Sequence, residues 1–185
     1  MKKQIIEDMI KYGEKFVRYG FNNANSGNMS ARLNLNKMLI TKTGTMFDEL
    51  TKDDFVEVDI SGADVNDKLA SVEAVVHKEI YKKTEHDVIL HVHSPMAIVL
   101  SIVSKQNKII PVNMECKYFF KEIPIIEGES GSVDLGVKLA DVFENYKCVI
   151  VKEHGIFGVG ADVRQVYNTV CMIEQACRIK YFVER

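Results

Sequence analysis

Two histidines in alternation, His91 and His93, close the apolar run DVILHVHSP. In a strand, side chains alternate between faces, so these two point the same way with roughly 7 Å between their Cα atoms. Both imidazoles can then reach one cation at bonds of about 2.0 to 2.1 Å. Such a pair is half of a zinc site, although taken alone it is better read as two unrelated histidines on a polar strand face. Two other stretches add to it. Glu73 opens EAVVHKEIYKK, which leads directly into the histidine strand, and His154 ends a second apolar run, VIVKEHG. Three imidazoles and one carboxylate make a ligand set for Zn²⁺ or another divalent metal, with room for a substrate oxygen if the carboxylate can leave. The other reading of Glu73 is an exposed acid complementing a helix start.

These residues need elements to carry them. Ile5, Ile6, Met9, Ile10, Phe16 and Val17 recur at helical spacing, so residues 3–19 form an amphipathic helix that stops at Gly20. FNNANSGNMSARL follows, a surface loop by composition and also a run of amides and small hydroxyls of the kind that holds phosphate. NMSARLN and KMLITKTG read as strands joined by a turn at 34–37, the second ending at Thr43-Gly44. A strand over 55–60, polar irregular chain over 63–70 and a helix begun by Ser71 and ending near Lys83 come next. After the histidine strand, Ser94-Pro95 opens a helix to about Lys105, and KIIPVNMECKYFFKEIPIIE holds short strands interrupted by Pro111 and Pro124. A helix with Val133, Val137, Leu139, Val142 and Phe143 on its apolar side, a buried strand KCVIVKEHG and a long closing helix complete the chain. Mixed strands enclosed by helices indicate an α/β or α+β layer fold, with no internal repeat. His77, one helical turn after Glu73, is expected to be a structural histidine rather than a fourth ligand, and His86 a solvated loop residue.

At 185 residues, 46% hydrophobic and 27% charged, the chain suits one globular domain, 1–185. A net charge of -2 and a pI near 6.2 disfavour nucleic acid or an anionic membrane as the main partner. The N-terminal stretch carries charges through its apolar positions, unlike a signal peptide, and no apolar run approaches the roughly 18 to 20 residues of a spanning helix. Cys116, Cys148, Cys171 and Cys177 lack a C-x-x-C spacing, so free, mostly buried thiols in a reducing cytoplasm are expected. GIFGVG does not have the G-x-G-x-x-G spacing of a dinucleotide site.

SGNMS, TKTG, SVE…H, HVHS and EHG, in this order, resemble the class II aldolase/adducin family along nearly the whole chain. The resemblance implies a three-layer α/β/α sandwich around a mainly antiparallel sheet, assembled as a homotetramer. It implies a cytoplasmic, zinc-dependent aldehyde-lyase of carbohydrate metabolism, cleaving a ketose 1-phosphate such as L-fuculose 1-phosphate to dihydroxyacetone phosphate and a short aldehyde. A sugar-phosphate 4-epimerase, a dehydratase and a non-catalytic adducin-like assembly domain are the alternatives on this scaffold. Carried over by motif, His91, His93 and His154 ligate zinc. Glu73 ligates it at rest and acts as acid/base in turnover. Ser26, Gly27, Asn28, Thr43, Gly44 and Ser71 hold the substrate phosphate. Three features depart from the pattern. Val72 replaces a second serine before the glutamate, Glu115 lies where an aldehyde-protonating tyrosine is expected, and the chain stops at Arg185 without the longer tail of the aldolase and epimerase.

Overall fold

The structure, a computed structural model, describes residues 2–184. Eight strands form one sheet: β1 (Asn28–Arg32), β2 (Lys37–Thr41), β3 (Phe55–Asp59), β4 (Val88–Val92), β5 (Lys108–Ile109), β6 (Ile123–Ile126), β7 (Cys148–Val151) and β8 (Gly155–Gly160). Their order is β3-β2-β1-β4-β8-β7-β6-β5, and every pairing is antiparallel except β6 with β7. On one face lie α1 (Lys2–Arg18), α3 (Pro95–Val103), α4 (Met114–Phe119) and α6 (Val163–Val183); on the other lie α2 (Ala74–Lys83) and α5 (Val133–Phe143). This is the expected α/β/α sandwich around a mainly antiparallel sheet.

Period-two alternation in the central strand sets both cores. Val88, Leu90 and Val92 of β4 enter the core shared with α1, α3 and α6, while Ile89 enters the α2/α5 core. Each such fully buried aliphatic side chain stabilises the fold by about 1.5–3 kcal/mol. With apolar groups on both faces, β4 cannot slip by one residue without exchanging its two sets of neighbours. That register turns His91 toward the α2/α5 side, where it stacks on Phe157, ring centroids 4.0 Å apart.

Several sequence expectations are corrected. The helix carrying Glu73 begins at Ala74, not Ser71; Ser71 instead starts a tight turn, its carbonyl accepting from Ala74 N and its Oγ from Glu73 N. The stretch expected to hold only strands contains α4, initiated at Asn113. Pro124 sits within β6 rather than interrupting it, because β6 pairs with β7 only from Ile125 onward and a missing N–H at 124 breaks no bond of that ladder. Residues 65–68 form a 3₁₀ turn in the stretch read as irregular. Val133 is exposed; the buried side of α5 is Leu135, Gly136, Leu139, Ala140 and Phe143. His86 is half-buried, Nε2 lying 3.3 Å from the Phe143 carbonyl and the ring edge-on to Phe143. The four cysteines are free thiols, Cys116, Cys148 and Cys177 buried and Cys171 half-buried. Among the described residues, no helix is long and apolar enough to cross a membrane.

Candidate metal centre and anion cavity

β4 places His91 as its fourth residue and releases His93 just past its end. In the ladder His91 lies between Asn28 of β1 and Phe157 of β8. His154 stands on the turn from β7 to β8, between Glu153, at φ 62°, and Gly155. A Cβ on Gly155 would come within 2.3 Å of the Val92 carbonyl, so only glycine lets this turn close against the end of β4. The three rings meet there, with centroids 4.6 Å (His91–His154), 4.8 Å (His93–His154) and 4.9 Å (His91–His93) apart. One nitrogen from each lies within 4.8 Å of the others.

The donor set fits a metal ion. Nε2 of His91 and Nε2 of His154 are 3.3 Å apart. Two nitrogens bound to one tetrahedral ion at the usual bond length are separated by about that distance. Nδ1 of His91 lies 3.0 Å from the Ile156 carbonyl and donates to it, which fixes the tautomer and turns the Nε2 lone pair into the cluster. Burial drives the His91 pKa down to about 3, against the opposing pull of Glu73, and burial likewise lowers that of His93. Neutral imidazoles are the form that ligates.

Glu73, only 3% exposed, closes the fourth side. Its Oε2 is 3.3 Å from His91 Nε2 and its Oε1 is 3.8 Å from His154 Nε2. Asn28 Nδ2 donates to Oε2 at 3.0 Å and Ser130 Oγ to Oε1 at 2.8 Å. Burial opposes the charge; the hydrogen bonds from Asn28 and Ser130, joined by the charge of the histidines wherever a ring is protonated, outweigh it and bring the carboxyl down to about 2. Glu73 is therefore ionised near neutral pH and both its oxygens are engaged.

Above this group opens a cavity of about 230 Å³. All six residues expected to hold an anion, Ser26, Gly27, Asn28, Thr43, Gly44 and Ser71, line it with Glu73, His93 and His154. Gly27 is at φ 76°, and a Cβ there would lie 2.6 Å from the His91 carbonyl, so the loop lies directly on the histidine strand. Asn28 differs from expectation in one respect: its amide donor is spent on Glu73, and Oδ1 is buried without a partner among the described residues. Val72 is exposed at the rim, and Glu115 is exposed on α4, outside the cavity.

Two residues were not found from sequence. Ser130, in the flexible-looking GESGS, holds Glu73 as described. Asn22, 3% exposed, donates from Nδ2 to the Ser26 carbonyl at 2.6 Å and accepts at Oδ1 from His93 N at 3.2 Å, tying the loop to the end of β4. Each comes from a polar run in which no side chain stands out, so the only signal was composition.

His77 is structural, as expected: fully buried, with Nδ1 2.6 Å from Ser30 Oγ, which lies 2.9 Å from Tyr81 OH. Burial lowers its pKa from 6.5 to about 4. The unfolded chain therefore takes up a proton as pH falls through 6.5, whereas the folded chain resists until about 4; stability is complete above 6.5 and is lost between these values. His77 alone accounts for a loss of about 3 kcal/mol across this window. The urea midpoint of metal-free protein should fall steeply from pH 7 to pH 4.5, and His77→Gln should flatten that fall. An unchanged slope in the variant would assign the acid sensitivity elsewhere.

Residues 7–181 match the class II aldolase and adducin N-terminal domain. The chain belongs to the class II aldolase/adducin family. It is 30% identical over 181 residues to the L-fuculose phosphate aldolase of Methanocaldococcus jannaschii, covering 96% of this chain and 94% of that one. It is 25% identical over 181 residues to the 3-oxo-tetronate 4-phosphate decarboxylase of Pectobacterium atrosepticum, covering 95% and 83%. The crystal structure of L-fuculose-1-phosphate aldolase from Thermus thermophilus superimposes with a TM-score of 0.91 at 26% identity, covering 98% of this chain and 95% of that one. A third relative, 26% identical over 183 residues, is the methylthioribulose-1-phosphate dehydratase of Azotobacter vinelandii, so the family match shows a lyase acting on a sugar phosphate and not which of these reactions it catalyses.

Proposed function

We propose that the protein is a zinc-dependent aldolase that reversibly cleaves a ketose 1-phosphate, such as L-fuculose 1-phosphate, to dihydroxyacetone phosphate and a short aldehyde. The observation that carries this reading is the buried, ionised Glu73 set against three converging imidazoles at the floor of a cavity rimmed by hydroxyls and glycine turns. His91, His93 and His154 would hold the ion, with Glu73 as a resting ligand. Zn²⁺, or another divalent ion, would supply Lewis-acid stabilisation of the negative charge that develops on the substrate carbonyl oxygen, by several kcal/mol.

The remaining work falls to side chains and loops. Ser26, Gly27, Asn28, Thr43, Gly44 and Ser71 hold the phosphate, and that remote binding energy orients the reacting carbons. In cleavage the C4 hydroxyl loses its proton as the C3–C4 bond breaks, giving the aldehyde. The electron pair of that bond passes into an enediolate over C2 and C3, and C3 then takes a proton to complete dihydroxyacetone phosphate. Glu73 is the group placed to take up the C4 hydroxyl proton and to deliver one to C3, so that no net proton is gained or lost, with Asn28 and Ser130 fixing its orientation.

Retention of all three histidines and the glutamate argues against a non-catalytic assembly domain. Exposed Met114, Tyr118 and Phe119 on α4 offer an apolar surface for the subunit contacts that a homotetramer needs, and the free thiols, three of them buried, suit a cytoplasmic setting. Metal-loaded protein incubated with dihydroxyacetone phosphate and a panel of short aldehydes should form a ketose 1-phosphate. If no aldehyde yields product while 3-oxo-tetronate 4-phosphate is decarboxylated or methylthioribulose 1-phosphate dehydrated, the scaffold is right and the aldolase assignment is wrong.

A further inference from the structure

His93 and His154 both lie outside regular strands, and α3 is attached to each of their turns. The helix begins at Pro95, two residues after His93, and the N–H groups of its first turn have no carbonyl one turn back to bond. Glu174, on α6, takes two of them: Oε1 accepts from Met96 N at 3.0 Å and Oε2 from Ala97 N at 2.9 Å. This carboxylate is 3% exposed on a helix face otherwise made of Val166, Val170, Ile173 and Cys177, where an unpaired acid would be strongly destabilising. Burial pushes its pKa up, while the two N–H donors and Arg178 pull against that rise.

Further along α3, Ser101, 1% exposed, accepts from Glu153 N at 2.9 Å while its hydroxyl donates to the Ile98 carbonyl at 2.7 Å. Glu153 occupies the left-handed region, φ 62°, which costs a non-glycine residue about 1–2 kcal/mol. Ser101 thus holds the turn from which His154 projects. One helix fixes the exit of His93 at its start and the strained turn of His154 at its far end.

We propose that Glu174 is a positioning residue for the three-histidine centre, acting through α3 on His93 and, by way of Ser101, on His154. The proposal rests on the reading of those histidines as a metal centre. Partners that orient metal ligands typically change affinity by about 10- to 100-fold when removed. Gln at 174, in the same pose, keeps one of the two acceptor oxygens and turns an NH₂ group toward the other N–H.

Metal-free wild type, Glu174→Gln and Ser101→Ala would each be titrated with Co²⁺, following heat and the visible d–d band, with urea midpoints measured in parallel. Loss of global stability alone leaves the intrinsic Kd of a still-folded chain unchanged, so the Kd and the band report positioning. The expected result is Co²⁺ binding at least about tenfold weaker in Glu174→Gln, with an altered band. A Kd within about twofold of wild type and an unshifted band would overturn the proposal, whatever the urea midpoint. Should Glu174→Gln fail to fold, Ser101→Ala is judged by the same two readouts. Co²⁺ uptake by wild type that disappears in His91→Ala shows that the metal centre itself stands, so unchanged positioning variants then count against Glu174 alone.

Discussion

His91→Ala is expected to abolish stoichiometric uptake of Zn²⁺ and to lower turnover at least about 10³-fold. No other ring among the described residues can take its place. His91 is wholly buried, its Nδ1 is committed to the Ile156 carbonyl, and its face is covered by Phe157. The alanine variant leaves a hole walled by Asn28, Glu73 and Phe157, so Glu73 loses its neutral imidazole neighbour at 3.3 Å and the remaining two histidines lose the third point that defines the site. Metal analysis after dialysis, together with the rate of ketose 1-phosphate cleavage, checks both parts. Full activity in chelator-stripped wild-type protein would end the metal-centred reading outright.

Glu73→Gln is expected to separate binding from chemistry. The variant should retain metal, because the three histidines are fixed by the β4 register and the Gly155 turn rather than by the carboxylate. Its amide oxygen can still accept from Ser130, and its NH₂ can be met by Asn28, whose Oδ1 has no present partner and can rotate to accept. Near-isosteric and hydrogen-bonded, it should fold normally. What it cannot do is carry a proton, and loss of a positioned acid/base group lowers the rate by about 10²- to 10⁴-fold. The measurement is kcat at confirmed unit zinc occupancy. A kcat within a few fold of wild type would remove Glu73 from the proton transfer and leave it as a resting ligand only.

What could be read in advance follows the reach of each physical signal. His91 and His93 were expected on one strand face because alternation is a local signal; β4 ends at Val92, and the two rings nevertheless converge, with centroids 4.9 Å apart. His77 was legible as structural because it sits one turn from Glu73 on the apolar side of α2. Elements with weak or misleading periodicity were not. β8 is six buried residues of which three are glycines, so no side-chain alternation marks it. α4 spans six residues of mixed aromatic and charged type, too short to show a helical repeat, and it read as strand. His86 looked solvated because its partner, the end of α5, is 57 residues away in the chain.

The same division runs through the site. Ligand types, their motif order, and the glycines beside the loops and the third histidine are properties of the sequence, since they depend on side-chain chemistry and on backbone angles only glycine reaches comfortably. The electrostatic state of Glu73 is not, because it depends on hydrogen-bond donors at 28 and 130 that the fold brings to one carboxylate from distant parts of the chain. Nor is the clamp of Glu174 on α3, which joins residues 77 and 78 positions apart. Such contacts depend on how β4 comes to lie between β1 and β8 and how α6 crosses behind them, which is decided by burial of two whole faces at once rather than by any short run of residues.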